Sequence, residues 1–172
     1  MKAILKTILM TLLFLPGITT FAQIAPGCGN VDTKFDVSTK NSQIMAAPEH
    51  GKALVYFLQD DIYFASHPRP TTRFGIDGKW IGATHADSYF YISVDPGEHH
   101  LCSQWQSFVG LGIGMRTAAA HFTADAGGVY FFVAHDRYNR ESPAETTLVP
   151  MDSDEAQLLM RTFALASSHP KK

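Results

Sequence analysis

The residue type in this chain with the most obvious chemistry is histidine, present at His50, His67, His85, His99, His100, His121, His135 and His169. A neutral imidazole ligates metals, and the same ring gives or takes a proton near neutral pH. A site also needs spacing, and the chain holds neither HExxH nor paired CxxC. His99 and His100 are neighbours in a strand-like segment and must point to opposite faces, so at most one joins His121 or His135 across a sheet. No metal ligand and no cofactor is assigned. Nucleophilic catalysis lacks a Gly-x-Ser-x-Gly elbow. Asp60, Asp61, Asp77 and Asp95 fall where turns want carboxylates, which favours turn chemistry over acid catalysis. Gly110-Leu111-Gly112-Ile113-Gly114 lacks the GxGxxG spacing of a dinucleotide loop. No catalytic residue is assigned, and the expectation is a protein that is not an enzyme.

The start of the chain points to export. Lys2 and Lys6 flank an apolar run from Ile8 to Leu15, Pro16-Gly17 breaks it, and Thr20-Phe21-Ala22 suits a leader peptidase, placing cleavage after Ala22. The run is too short for a permanent span, which needs roughly 20 apolar residues. The expected location is therefore the periplasm or the cell surface, with membrane association possible but no transmembrane segment after processing. Cys28 follows Ala25-Pro26-Gly27, which is not a lipobox. In an oxidising compartment Cys28 and Cys102, the two cysteines, are expected to form a disulfide. Loss of the two leader lysines takes the net charge from −2 to −4. With no basic run beyond Lys171-Lys172, nucleic acid is disfavoured as a partner.

The elements that would position these residues read as strands. Residues 23–51 are polar and form an extended arm, with a possible short strand around Lys34 to Val37. Ala53 to Leu58 is a continuous apolar run that suits a strand buried on both faces. Arg73 to Asp77 and Lys79 to Ala83 form a hairpin about Asp77-Gly78. Ser88 to Val94 and His99 to Trp105 are read as partners about Asp95-Pro96-Gly97-Glu98, and Arg116 to Thr123 with Val129 to His135 as another pair. Glu145 to Val149 is a further strand. The segment 108–115 is apolar and Gly-rich, either a packed edge or a mobile lip. Trp80, Tyr89, Tyr91, Trp105 and Tyr130 belong to the core rather than to a sugar-stacking face. Ala156, Leu159, Met160, Phe163 and Ala166 follow helical spacing, with Asp152 and Glu155 placed to cap.

The order Lys52 to Phe57, Ile76-Asp77-Gly78-Lys79-Trp80-Ile81-Gly82, Ser88-Tyr89-Phe90, Asp95-Pro96-Gly97-Glu98-His99 and Ala126-Gly127-Gly128-Val129-Tyr130 resembles a bacterial family of exported domains. That family is the domain of unknown function catalogued as twenty-eight forty-six, itself similar to PEGA domains. The resemblance implies a small envelope-associated β domain and hands on no active site, because its motifs are turns and strands. The sequence thus predicts a leader at 1–22, an arm at 23–51, a β-sandwich at 52–150 and a helix at 151–168. The fold class is all-β, an antiparallel Ig-like or PEGA-like β-sandwich of about seven strands with one C-terminal α-helix. The expected function is that of a non-enzymatic envelope module binding a protein or a surface polysaccharide. The alternative is an exported metal-binding protein or hydrolase using clustered histidines.

Overall fold

A computed structural model describes residues 28–65, 68–106, 115–138 and 143–172. The leader with its cleavage point, His67 and residues 108–114 of the Gly-rich segment lie outside the described residues. β-Branched and aromatic runs cut by turn residues form ten strands: β1 (Phe35–Lys40), β2 (Ala53–Asp60), β3 (Thr71–Ile76), β4 (Lys79–His85), β5 (Ser88–Val94), β6 (Gly97–Trp105), β7 (Thr117–Ala124), β8 (Val129–Arg137), β9 (Glu145–Pro150) and β10 (Ala164–Pro170). Among the described residues one helix, α1 (Ser153–Met160), precedes β10. Six strands form one sheet in the order β1-β10-β5-β2-β8-β9, and four form a second in the order β4-β3-β6-β7.

The apolar run of β2 makes it an inner strand of the larger sheet, covered on both faces. Val55 and Phe57 point between the sheets with Phe74, Phe90, Leu101 and Phe132. Leu54, Tyr56 and Leu58 point the other way, under Ala156, Met160 and Phe163. The stripe of α1 therefore covers the outer face of the larger sheet, and the Asp152 carboxylate caps the helix by accepting from Asp154 N–H at 2.8 Å. Trp105 and Tyr89 are fully buried, as core aromatics should be.

Four expectations are corrected. The all-β, two-sheet sandwich with a helix near the C-terminus is as expected, but ten strands are present among the described residues rather than about seven, and two pairings, β2 with β8 and β10 with β5, are parallel. The helix ends at Met160 instead of 168. Ala166 lies in β10, because β1 supplies an antiparallel ladder from Phe35↔Pro170 to Lys40↔Leu165 that outweighs the helical propensity of Ala and Leu. The segments read as partners about Asp95-Pro96-Gly97-Glu98 are β5 and β6, which sit in different sheets. The same holds for β7 and β8, so both turns are corners between layers.

The hairpin about Asp77-Gly78 is as expected, with φ of 49° and 78° at the two residues. Cys28 and Cys102 form the disulfide, with Cα atoms 5.7 Å apart. It lies over Gly75, where a Cβ would come within 2.8 Å of Cys102 Sγ and 2.9 Å of the Cys28 carbonyl oxygen. The bridged arm then crosses the outer face of the smaller sheet. Arg73, 1% exposed, donates to the carbonyls of Val31 and Thr33, and Trp80 Nε1–H donates to that of Asn30 at 2.8 Å.

Candidate functional site

The histidines do not converge. His135 is on the larger sheet, where its Nδ1–H donates to Asp60 across the β2–β8 pair at 3.1 Å; that bond foremost holds the Asp60 carboxyl below its usual range. His100 and His121 are direct cross-strand neighbours on β6 and β7 on the outer face of the smaller sheet, His121 exposed and His100 half-buried. His85 pairs with Thr71, and His50 and His169 are exposed. Among the described residues no three His, Cys, Asp or Glu side chains gather as a metal ion would require.

His99 faces the opposite way from His100, as strand geometry demands, and joins two turns. Its Nδ1 lies 2.7 Å from Asp77 Oδ2 and its Nε2 lies 2.8 Å from the Asp95 carbonyl oxygen. Both partners only accept, so both ring nitrogens carry hydrogen and the ring is an imidazolium. Burial works against that charge, yet the bond to Asp95 and the bond and charge of Asp77 together raise the His99 pKa. Asp77 also accepts from His100 N–H at 2.9 Å, so one carboxylate at the tip of the β3–β4 hairpin holds two successive residues of β6.

The second polar cluster was hidden from sequence reading. It sits where the parallel strands β2 and β8 end, a position at which α/β sheets place ligands but which is sealed in this fold. Asp136 is 1% exposed and accepts from Thr72 Oγ1 at 2.7 Å, Trp105 Nε1 at 2.7 Å and Thr146 Oγ1 at 2.6 Å. Asp61 is fully buried and, among the described residues, its carboxyl receives only Gln59 Nε2–H, at 3.0 and 3.1 Å from its two oxygens. Gln59 is in turn held by Thr84 Oγ1–H at 2.7 Å and donates to the Pro70 carbonyl at 2.9 Å. Burial, with the Asp136 charge behind it, pushes the Asp61 pKa up to about 8. Burial also raises Asp136, against its three donors. The better-solvated carboxylate is the one with three donors, so Asp61 keeps the proton at neutral pH. Asp61 thus opens a turn as its position indicates, its carbonyl accepting from Phe64 N–H at 2.9 Å, while its side chain is a buried acid. Asp60 does serve the turn, accepting from Ile62 N–H at 3.0 Å.

The family model described as Protein of unknown function (DUF2846) matches residues 49–147, more than half of the chain. The chain belongs to this family. No curated protein and no solved structure matches it. The DUF2846 span holds His99 with Asp77, and Asp61 with Asp136, so both polar clusters belong to the family's own region. Cys28, β1, α1 and β10 lie outside it.

The His99 link is a pH-dependent contribution to the stability of this DUF2846 protein. Its folded pKa lies above the unfolded value of about 6.5. The stabilisation is therefore full below that pH and fades as pH rises through the folded value. A His99→Ala variant is expected to lose about 1–2 kcal/mol at mildly acidic pH and clearly less in alkaline buffer. Urea unfolding of both proteins across pH checks this, and a gap that does not change with pH contradicts it.

Proposed function

We propose that this protein is an exported, disulfide-clamped module of the cell envelope that binds a protein or a surface polymer and carries out no catalysis. The observation that carries the reading is the Cys28–Cys102 bridge, which ties the arm to β6 and belongs to an oxidising compartment. The leader-like first 22 residues argue for the same compartment, periplasm or cell surface. Among the described residues no helix is long and apolar enough to cross a membrane.

Support for a binding rather than a catalytic role comes from where the displaced pKa values fall. Asp61 and Asp136 are enclosed, and the His99 imidazolium is engaged at both nitrogens, so these groups hold strands together. Surface for a partner is offered by the β6–β7 half of the smaller sheet, where Glu98, Thr117, Ala119, His121 and Thr123 are exposed.

Expression of the full chain in a bacterium, followed by fractionation, mass spectrometry of the N-terminus and thiol labelling, tests the reading. The expected product lies outside the cytoplasm, begins at Gln23 and has no reactive thiol. A cytoplasmic product with two labelled cysteines overturns the compartment. Stoichiometric zinc or copper uptake that disappears on changing His100 or His121 would replace the binding module with the metal-binding alternative.

A further inference from the structure

The end strand β7 reads Thr117-Ala118-Ala119-Ala120-His121-Phe122-Thr123-Ala124, with no Asp, Glu, Lys, Arg or Pro. Edge strands are ordinarily guarded by charge, proline, a bulge or brevity, and this one carries none of those devices. Among the described residues β7 pairs only with β6, in one uninterrupted register. Trp105 N–H donates to the Arg116 carbonyl at 3.0 Å, which sets the phase of that ladder. Bonding alternates along an antiparallel pair. Ala118, Ala120, Phe122 and Ala124 therefore bond β6, while Thr117, Ala119, His121 and Thr123 turn their N–H and C=O groups to the edge away from β6. The neighbouring ladder agrees: on β6 the even residue His100 turns toward the β3 side, its carbonyl accepting from Asp77 N–H at 2.9 Å.

We propose that β7 pairs antiparallel with the β7 of a second copy, about a two-fold axis between the two Ala120 residues, joining the four-stranded sheets into one continuous sheet. The strand's composition selects this occupant. A strand without formal charge meets its own copy without repulsion. The register that sets Ala120 opposite itself uses every edge-facing group of both strands. It also places Ala119 against His121 on the outer face and Ala118 against Phe122 on the inner one, large against small each time. A two-fold contact is self-complementary, so each match occurs twice. Alongside the edge is a cleft of about 420 Å³ lined by Phe122, Val129, Tyr130 and Pro150, apolar surface that an apposed copy helps to cover.

Analytical ultracentrifugation of the full chain, expressed with its own leader and recovered after export, tests the pairing. The wild type is expected to pass from monomer to dimer as concentration rises. Ala119→Pro removes one edge-facing N–H, leaves the bonds to β6 in place, and is expected to weaken the dimer by about tenfold or more. The register has its own test that does not depend on proline being tolerated. A119E/H121E and A119K/H121K each set like charges opposite one another and are expected to stay monomeric alone, while their mixture forms a heterodimer. A wild type that stays monomeric at every concentration overturns the proposal. So do charge variants that dimerise singly and gain nothing on mixing, or an edge that takes up an added extended peptide in place of its own copy.

Discussion

An Asp136→Ala variant is expected to lose about 3–5 kcal/mol of stability, the largest effect of any single side chain in the buried polar cluster at the end of β2 and β8. Three donors, Trp105 Nε1, Thr72 Oγ1 and Thr146 Oγ1, converge on this one carboxylate from three different strands. Trp105 and Thr72 are themselves fully buried, so neither recovers its bond from water. Each unpaired donor costs roughly 1–3 kcal/mol, and part of that returns as Asp61 is freed from its neighbour's charge. For a domain of this size the loss is a fall in Tm on the order of 10 °C. Asp136→Asn keeps an oxygen for two of the donors and is expected to cost clearly less. A melting curve for the alanine variant within a degree or two of wild type would show that these bonds do not hold the end of the sandwich closed.

Removing the bridge, by reductant or by C28S/C102S, is expected to cost about 4 kcal/mol in the chain-entropy account. The bridge closes a loop of 74 residues, long enough to restrict the unfolded chain strongly. In the folded state its loss also frees the arm, whose carbonyls at Val31 and Thr33 neutralise the hydrogen-bonding needs of the buried Arg73 guanidinium. Arg73 already has burial pulling its pKa down and an Nε without a partner, so it depends on the arm staying in place. Urea unfolding with and without reductant measures the cost, and hydrogen exchange at Trp80 Nε1 reports the arm. A midpoint that reductant leaves unmoved would contradict the expectation.

Local chemistry was legible in the sequence wherever one segment decides its own structure. The run Ala53 to Leu58 is an inner strand because nothing in it tolerates water, and Asp77-Gly78 turns because both residues accept a positive φ. The even cysteine count led to the bridge for a similarly simple reason. What escaped is what distant segments decide. Asp95-Pro96-Gly97 reverses the chain equally well whether the next strand stays in its sheet or crosses to the other, so layer assignment had no local signal. Residues 164–168, Ala-Leu-Ala-Ser-Ser, continue a helical period and become β10 only because β1 and β5 offer ladders on either side. Asp61 and Asp136 stand 75 residues apart without a motif between them. Their meeting follows from the parallel register of β2 and β8, which ends with Asp60 beside His135. The functional histidine pattern failed in the same way: His99 and His100 were rightly sent to opposite faces, but only the corners of the fold reveal that Asp77 and Asp95 await the first of them.

The enclosed pair of acids has a further consequence. In the unfolded chain Asp61 titrates near its ordinary value of 3.8, whereas in the folded one it holds its proton to about pH 8. Folding at neutral pH is therefore an acid–base reaction as well as a collapse, and it draws a proton out of the surrounding medium. Mass action on that proton favours the folded chain as the medium acidifies from about pH 8 toward 4, and acts equally on both states below that range. A chain that folds in a mildly acidic medium finds the proton ready to hand, and in an alkaline one the burial of the strands must supply that driving force alone.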